Sequence, residues 1–320
     1  MVLVSDKLKN MNEYLRGQFP SLDLMVNEKR AAFFDGPGGY QVPKRVVDAM
    51  DNYLFRNNAN VGGAFPTSER TDEMIRNARE AYASFFNCSW DEVSFGANMT
   101  TLNFSLAMAL GEEIDPGDEI LVTEIDHEAN RGPWEAVARK NDGVKVREVE
   151  LDTDKFVLNM DDFRKKVSDS TKVIAVNFSS NALGTTTDVK EICEIAKEVG
   201  AYTVIDAVHY AAHGPIDVKE IGPDFLLCSA YKFFGPHIGI LFSDRKIMDN
   251  LCTLKVRPQK EYPPYKIETG TLNHEGIAGA EEAIYFVADI GEKYGDLEDD
   301  EGLRGKITSG LEVFENYEKV

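Results

Sequence analysis

The feature that most constrains the fold is an alternation of short apolar runs and stretches of helical spacing between residues 92 and 242. The strand-like runs lie at 92–95, 119–123, 144–149, 172–177, 202–206, 224–229 and 238–242. Helical spacing appears at 100–110, 129–140, 160–167 and 188–199, with Asp188 placed as an N-cap. This rhythm predicts an α/β fold in which a mostly parallel, seven-stranded sheet is flanked by helices.

Two of the runs end in residues that carry chemistry. The run at 202–206 ends in Asp206, and the run at 224–229 ends in Ser229 and is followed closely by Lys232. Ligands of parallel sheets bind at the carboxyl ends of strands, so we expect both groups at one rim. A lysine that can form an imine and an aspartate that can pair with a pyridinium nitrogen suit pyridoxal phosphate.

Each of these two residues also has a simpler interpretation. Asp206 alone is better explained as a helix N-cap, and Lys232 alone as a surface lysine with a buried stem. The order of the polar residues along the chain favours the cofactor, because the groups that could contact it all fall just after predicted strands.

Further candidates follow the other strands. Asn98 and Met99 lie between a strand and a helix, where backbone N–H groups can hold a phosphate, although an ordinary capped turn has the same pattern. His127 can stack on a planar ring or cap a helix. Asn181 can donate to a ring oxygen or stabilise its own turn.

His209 and His213 are four residues apart and could share one face of a helix as metal ligands. No third ligand and no HExxH glutamate accompany them, so the sequence predicts no metal site. A zinc hydrolase is the alternative in which these histidines bind metal, and it requires no coloured cofactor. His209 against the edge of a cofactor is the preferred interpretation.

The composition excludes several functional classes. With 35 basic and 55 acidic residues, the net charge of −20 repels nucleic acid and anionic membranes. No apolar run approaches the roughly 18 residues of a membrane span, and the N-terminus lacks the apolar core of a signal peptide. The four cysteines show no CxxC spacing, so we expect reduced thiols and a cytoplasmic location.

The predicted domain organisation has three parts. Residues 1–30 form an N-terminal arm, 31–285 form a large cofactor-binding domain, and 286–320 begin an incomplete small C-terminal domain. We expect a short strand at 31–34 running into a glycine-rich turn at 35–39, helices at 43–55, 68–86 and from about 277, and a C-terminal helical pattern without an evident partner.

From about residue 18 to residue 279 the chain resembles the class V aminotransferase family of fold-type I pyridoxal-phosphate enzymes, and most closely its cysteine-desulfurase-like branch. The matching segments are FDGPGG (34–39), DHEANRGPW (126–134), SNALG (180–184), IDAVH (205–209), SAYKFFGP (229–236) and ETGTLN (268–273). The resemblance implies a homodimer that binds pyridoxal 5'-phosphate and acts on an amino acid.

The resemblance also implies a role for each matching residue. Lys232 forms the aldimine and moves protons, Asp206 holds the pyridinium nitrogen, and His127 stacks on the ring; these are the catalytic assignments. The remaining implied cofactor contacts are the phosphate ligands Asn98, Met99, Ser229 and Tyr231, the groups facing the ring oxygen, Asn181 and His209, and Thr271, which reaches the neighbouring subunit's phosphate.

Three departures from the desulfurase pattern leave other reactions open. Desulfurases commonly have glutamine at the position of His209 and histidine at that of Tyr231, and none of the four cysteines here matches their persulfide-forming residue. The chain also stops at Val320, before the region that carries the substrate-binding arginine. Aminotransfer, C–S lysis, epimerisation and a truncated, non-catalytic cofactor-binding remnant are therefore the alternatives to desulfuration.

Overall fold

A seven-stranded sheet forms the centre of the computed structural model, which describes residues 6–297 and 301–319. Its strands are β3 (Val93–Gly96), β4 (Glu119–Thr123), β5 (Lys145–Val149), β8 (Thr171–Asn177), β9 (Tyr202–Asp206), β10 (Phe225–Ser229) and β11 (Gly239–Ser243). The strand order is β3-β11-β10-β9-β8-β4-β5, and β11 is antiparallel to both of its neighbours. The predicted α/β fold is confirmed, and each predicted run forms a strand of this sheet.

Helices cover the sheet, and two short hairpins lie outside it. The helices are α1 (Asp6–Gln18), α2 (Lys44–Arg56), α3 (Pro66–Phe86), α4 (Met99–Gly111), α5 (Glu128–Lys140), α6 (Met160–Lys166), α7 (Val189–Val199), α8 (Val218–Ile221), α9 (Arg245–Asn250), α10 (His274–Tyr294) and α11 (Leu303–Glu318). The hairpins pair β1 (Met25–Val26) with β2 (Lys29–Arg30) and β6 (Leu151–Asp152) with β7 (Val157–Leu158).

Local sequence explains why these elements begin and end where they do. All five residues of β10 are buried, as expected for a strand with helices on both faces of its sheet. At the start of α7, the carboxylate of Asp188 accepts a hydrogen bond from the backbone N–H of Glu191 at 3.1 Å, as the sequence predicts. Gly200 ends the helix with a φ of +72°, a conformation that glycine adopts without a steric penalty.

The predicted strand at 31–34 is wrong. These residues have no strand partner, and Phe34 is 95% exposed. The two adjacent phenylalanines resemble a strand locally, but no sheet edge lies beside them. The predicted turn after them is present as a short 3-10 helix, Gly36–Gly38.

The expectation that the C-terminal helical pattern lacks a partner is also wrong, because α11 packs along α10. A Cβ atom added at Gly291 would lie 2.0 Å from the carbonyl oxygen of Lys306, and one at Gly310 would lie 2.1 Å from that of Val287. Glycine at these positions therefore lets the two backbones approach closely.

The three-part domain division stays a prediction. Helix α10 passes through residue 285 without interruption. Residues 1–5 of the predicted arm and residues 298–300 and 320 of the predicted C-terminal part lie outside the described residues. Within the described ranges, no helix has the length and apolar character needed to cross a bilayer.

Candidate active site

One cavity at the carboxyl ends of the parallel strands brings together every predicted site residue except Thr271. The residues that line it and were predicted are Asn98, Met99, His127, Asn181, Asp206, His209, Ser229, Tyr231 and Lys232. They follow β3, β4, β8, β9 and β10, so the cavity lies where the topology of an α/β sheet places a ligand.

Lys232 is the basic group of the cavity. It ends the 3-10 turn Ala230–Lys232 directly after β10 and is only 8% exposed. Its ammonium donates a hydrogen bond to the carbonyl oxygen of Pro37. Burial lowers the pKa of Lys232, and the negative charge of Asp206 opposes this shift. A lowered pKa makes the uncharged, nucleophilic amine more available near neutral pH.

The backbone of this turn is strained two residues later. Phe234 has a φ of +70°, in the left-handed region, which costs a non-glycine residue about 1–2 kcal/mol. The conformation is held by the phenyl ring, which packs against rings from four distant parts of the chain, namely Phe19, Tyr40, Phe286 and Phe314.

Asp206 is the acidic group of the cavity. One carboxylate oxygen accepts a hydrogen bond from the backbone N–H of Val208 at 2.9 Å. Burial raises the pKa of Asp206 to about 6, against the lowering effects of that hydrogen bond and of His127 and Lys232. Within residues 6–297 and 301–319, no cation forms an ion pair with this carboxylate. A buried acid of this kind fits a ligand that brings its own positive charge.

A second carboxylate, Asp126, is half-buried near Asp206 but is used differently. Its two oxygens accept hydrogen bonds from the backbone N–H groups of Thr123 at 2.8 Å and Asn177 at 2.7 Å. Burial, helped by the charge of Asp206, raises the pKa of Asp126 to about 7 against the lowering effect of these hydrogen bonds. Asp126 therefore joins the ends of β4 and β8 and fixes the strand end from which His127 projects.

His127 caps a helix and also lines the cavity. Its Nδ1 accepts a hydrogen bond from the backbone N–H of Ala129 at 3.0 Å, so it caps α5. Its ring also lines the cavity. The cap fixes the direction of the imidazole, and the stacking role remains available to the free face of the ring.

The N-terminus of α4 forms the anion-binding end of the cavity. The Asn98 side chain accepts a hydrogen bond from the backbone N–H of Thr101 at 2.8 Å, and the Ser229 hydroxyl accepts one from that of Met99 at 3.0 Å. Among the residues that the structure describes, the N–H of Thr100 has no hydrogen-bond partner. An N–H left free at a helix N-terminus suits a phosphate oxygen.

Gly239 keeps this end compact. A Cβ atom at this position would lie 2.3 Å from the carbonyl carbon of Asn98, so any other residue would displace the first turn of α4. Because β11 runs antiparallel to its neighbours, it begins at this rim, and its first residue supports the anion-binding turn.

The remaining predicted residues surround the opening. His209 is half-buried, and its pKa is lowered by burial, by His213 and by Lys232. The ring of Tyr231 stacks on that of His237, with centroids 4.8 Å apart. Asn181 lies in a turn that is closed by the Ser180 hydroxyl, so the expected stabilisation of this turn by its own asparagine is not what the structure shows.

Thr271 lies elsewhere. It is exposed and lines a second cavity of about 420 Å³. The wall of that cavity contains a buried ion pair, in which Arg79 contacts Glu268 at 2.8 Å. Within this subunit, Thr271 and Lys232 belong to different cavities.

Sequence reasoning missed several residues of the cofactor cavity, which are Pro37, Thr100, Ala129, Asn177, Ser179 and Val208. Thr100 could have been found, because it is the second residue of a helix whose cap was recognised. Pro37 had no local signal, because its contact with Lys232 joins residues 195 positions apart. No group of three or more His, Cys, Asp or Glu residues in the described ranges is placed to hold a metal ion.

A comparison with protein families decides the assignment, because the model of aminotransferase class V matches residues 32–316. The chain belongs to the class V aminotransferase family. The aminotransferase-like protein FGM3 of Gibberella zeae is 36% identical over 247 residues, which are 76% of this chain and 60% of the relative. A probable cysteine desulfurase of Pyrococcus abyssi is 32% identical over 277 residues, which are 81% and 67% of the two chains.

A solved structure agrees with these relatives. The apo structure of a cysteine desulfurase from Thermococcus onnurineus NA1 superposes with a TM-score of 0.77 at 31% identity, covering 87% of this chain and 71% of that one. The fold-type I architecture and the resemblance to the cysteine-desulfurase-like branch are confirmed. The chain thus spans about three fifths to two thirds of the curated relatives described above.

Class V aminotransferases and cysteine desulfurases depend on pyridoxal phosphate, and the cavity fits that cofactor. It offers an amine of lowered pKa for the aldehyde, a buried carboxylate without an ion-pair partner for the ring nitrogen, and a free helical N–H for the phosphate.

Proposed function

We propose that this protein is a pyridoxal-phosphate-dependent enzyme that acts on an amino acid, with chemistry like that of the cysteine desulfurases. The observation that carries the proposal is the meeting of Lys232 and Asp206 in one cavity with the N-terminus of α4. Pyridoxal phosphate, when bound, supplies an electron sink for a carbanion at the substrate's α-carbon.

The residues of this chain divide the work of holding the cofactor. Asp206 would hold the ring nitrogen, whose positive charge would oppose the effect of burial that raises the pKa of this carboxyl. His127 lies on the ring face, with its direction fixed by the cap on α5. The ring oxygen is contacted by Asn181 and His209.

The phosphate is held by the first turn of α4. The N–H of Thr100 is the free helical donor for the phosphate, that of Met99 donates to the Ser229 hydroxyl, Asn98 caps the helix, and the Ser229 and Tyr231 hydroxyls complete the set. The helix dipole adds favourable electrostatics for an anion at this end.

Lys232 both binds the cofactor and moves the proton. With cofactor and substrate bound, the Lys232 amine would accept the proton from the substrate's α-carbon at Nζ. Burial lowers the pKa of this amine, which favours the uncharged form required of a base.

The burial and position of the four cysteines determine whether any of them could accept a sulfur atom from the substrate as a persulfide. Cys193 and Cys228 are buried, and burial raises the pKa of Cys193 to about 12 and that of Cys228 well above its usual range. Neither they, nor half-buried Cys88, nor exposed Cys252 lines the cavity. Thiolate character at the site, which a persulfide-forming residue requires, is therefore not supplied by these four thiols.

The test of cofactor and site uses the absorption spectrum of the purified protein, borohydride reduction and peptide mapping. We expect a visible band that is lost on reduction, with the label on Lys232, and we expect the band to be absent from Lys232→Ala. The matched control is Lys246→Ala, because Lys246 is exposed on α9 and does not line the cavity. A protein that stays colourless when pyridoxal phosphate is added would refute the proposal.

Product analysis then names the reaction. Alanine formed from cysteine supports desulfuration, whereas turnover that requires a keto acid supports aminotransfer. If the protein binds the cofactor but no amino acid perturbs its spectrum, the proposal of an active enzyme fails while the cofactor site stands.

The proposal includes a cytoplasmic homodimer in which Thr271 contacts the cofactor phosphate of the neighbouring subunit. Its support is that Thr271 is exposed and lies outside the cavity of its own chain. Mixed dimers of Lys232→Ala and Thr271→Val subunits test it, because one of their two sites would have both residues intact. We expect this site to recover activity; mixed dimers as inactive as both parents would exclude sharing.

A further inference from the structure

A chain of hydrogen bonds outside the cofactor cavity joins the C-terminal helix to an imidazole. Nδ1 of His213 lies 2.9 Å from both carboxylate oxygens of Glu318, the last residue of α11. Nε2 of the same ring lies 3.1 Å from the hydroxyl of Tyr40. We call these residues the Tyr40–His213–Glu318 chain.

The chemistry of the carboxylate fixes the direction of the hydrogen bond to Glu318. An ionised carboxylate only accepts, so Nδ1 of His213 carries a proton and donates to Glu318. In the neutral ring Nε2 accepts from the Tyr40 hydroxyl, and in the protonated ring Nε2 donates to the hydroxyl oxygen. Burial, helped by the charge of Glu318, raises the pKa of Tyr40 to about 12, which keeps this hydroxyl protonated.

The hydrogen-bonded Tyr40–His213–Glu318 chain lies beside the cofactor cavity. The rings of His213 and His209 are 4.9 Å apart between centroids, and His209 lines the cavity while His213 does not. An imidazole fixed at both of its nitrogens thus supports the ring that faces the cofactor.

Tyr40 also connects the Tyr40–His213–Glu318 chain to the turn that contains Lys232. Its backbone N–H donates to the carbonyl oxygen of Tyr231 at 3.0 Å, and three residues earlier the Pro37 carbonyl accepts from Lys232. The segment 37–40 therefore contacts Lys232, Tyr231 and His213 at successive points.

From this geometry we propose that His213 is a positioning residue for His209, and that Glu318 at the end of α11 acts on the cofactor cavity through it. The role of His209 at the cofactor's ring rests on the proposed function, but the coupling between the residues does not require a bound cofactor. The C-terminal helix then contributes to the site without lining it.

The groups around His209 determine the direction in which each substitution should change its pKa. The titratable and charged groups near it are His213, Lys232 and Glu318, together with His127, Asp206 and Tyr231 around the same cavity. Burial is the largest cause of the lowered pKa of His209; His213 and Lys232 lower it further, and Glu318 raises it. Removing His213 must therefore raise this pKa, and removing the charge of Glu318 must lower it.

Nuclear magnetic resonance of the histidine rings measures this coupling, because the full chain has five histidines. The pKa of His209, assigned with His209→Gln, is followed in the full-length protein with bound cofactor and again after cofactor removal. We expect His213→Gln to raise it and Glu318→Gln to lower it, each by about 0.5–1 unit for a half-buried ring. Tyr40→Phe, which keeps the aromatic packing, should change the ¹⁵N shift of Nε2 in His213.

Glu315→Gln is the matched control, because it removes one charge from the same turn of α11, where Glu315 pairs with Lys319. It should leave the titration of His209 unchanged. Shifts of the same sign in His213→Gln and Glu318→Gln, or no shift in either folded variant, would overturn the inference. Opposite shifts in a protein that fails to bind pyridoxal phosphate would uphold the coupling and refute only the proposed function.

Discussion

Two buried carboxylates, Glu268 and Asp206, are almost equally shielded from water but differ in what surrounds them. Glu268 is 8% exposed and Asp206 is 5% exposed. Glu268 pairs with buried Arg79 at 2.8 Å and also accepts a hydrogen bond from the backbone N–H of Phe95 at 2.7 Å. Asp206 accepts one backbone hydrogen bond and has no ion-pair partner in the described part of the chain.

The difference shows how one fold treats buried charge for two purposes. The Arg79–Glu268 pair is complete within the chain and ties α3 and the loop before α10 to β3. The charge on Asp206 is left uncompensated at the ligand rim, where it lowers stability until a cation arrives. The paired charges of Arg79 and Glu268 hold elements of the fold together, whereas the unpaired charge of Asp206 lies in the proposed cofactor site.

Breaking the complete pair should have the largest effect. We expect Arg79→Met to reduce the free energy of unfolding by about 3–5 kcal/mol, because it leaves the carboxylate of Glu268 buried without its partner. Chemical denaturation measures the loss. The double variant with Glu268→Gln should recover much of it, and a double variant as unstable as Arg79→Met would show that the charge of Glu268 is not the cause.

Removing the unpaired charge of Asp206 should increase the stability of the cofactor-free protein. The folded-state pKa of Asp206 is raised from 3.8 to about 6, so its ionisation costs the cofactor-free protein about 3 kcal/mol above pH 6. Asp206→Asn should therefore stabilise the cofactor-free protein while abolishing most activity.

The pH dependence gives the control for this variant. The folded state holds the Asp206 proton more tightly than the unfolded state, so wild-type stability is lost as pH rises from about 4 to about 6. The advantage of Asp206→Asn should be present at pH 7.5 and absent near pH 3.5 in denaturation experiments. An advantage that is independent of pH would contradict the raised pKa.

A substitution at the N-terminus of α4, the anion-binding end of the cavity, should have a smaller effect on stability. Asn98→Ala removes the cap on α4, a contribution of about 1 kcal/mol, and it should also weaken retention of pyridoxal phosphate. Asn98→Ser restores a capping oxygen and should recover most of the stability. Equal stability of the alanine and serine variants would exclude a capping role.

The exposed ion pair between Lys44 and Asp48 should contribute least to stability and serves as the reference. Lys44 and Asp48 are four residues apart on α2, with side chains 68% and 55% exposed. Asp48→Asn should cost no more than about 0.5 kcal/mol and lose its effect in 1 M salt. The effect of Arg79→Met should persist in salt, since its buried pair is screened much less.

The sheet could be predicted because each of its strands carries its own signal. The run ending in Asp206 is apolar because the strand is buried on both faces, and the polar residues begin where it reaches the rim. The failed strand at 31–34 has the same local composition, but Phe34 has no sheet to pack against. Burial depends on the rest of the fold, and short apolar pairs do not report it.

The site could be predicted as a set of strand ends but not as a network of contacts. Asp206 and Lys232 follow adjacent parallel strands, so their proximity is a consequence of topology. The contacts of Lys232 with Pro37 and of His213 with Glu318 join residues far apart in the chain, and periodicity carries no information about them. The close packing of α11 on α10 depends on paired glycines, which sequence reading did not connect.

The aromatic cluster around Phe234 has a consequence for the timing of assembly. In the turn that presents Lys232, the left-handed residue packs against rings from the N-terminal arm, the segment after the glycine turn, α10 and α11. Phe314 lies 82 positions beyond the lysine. The full set of rings around this turn is therefore assembled only after α11 has been synthesised and docked.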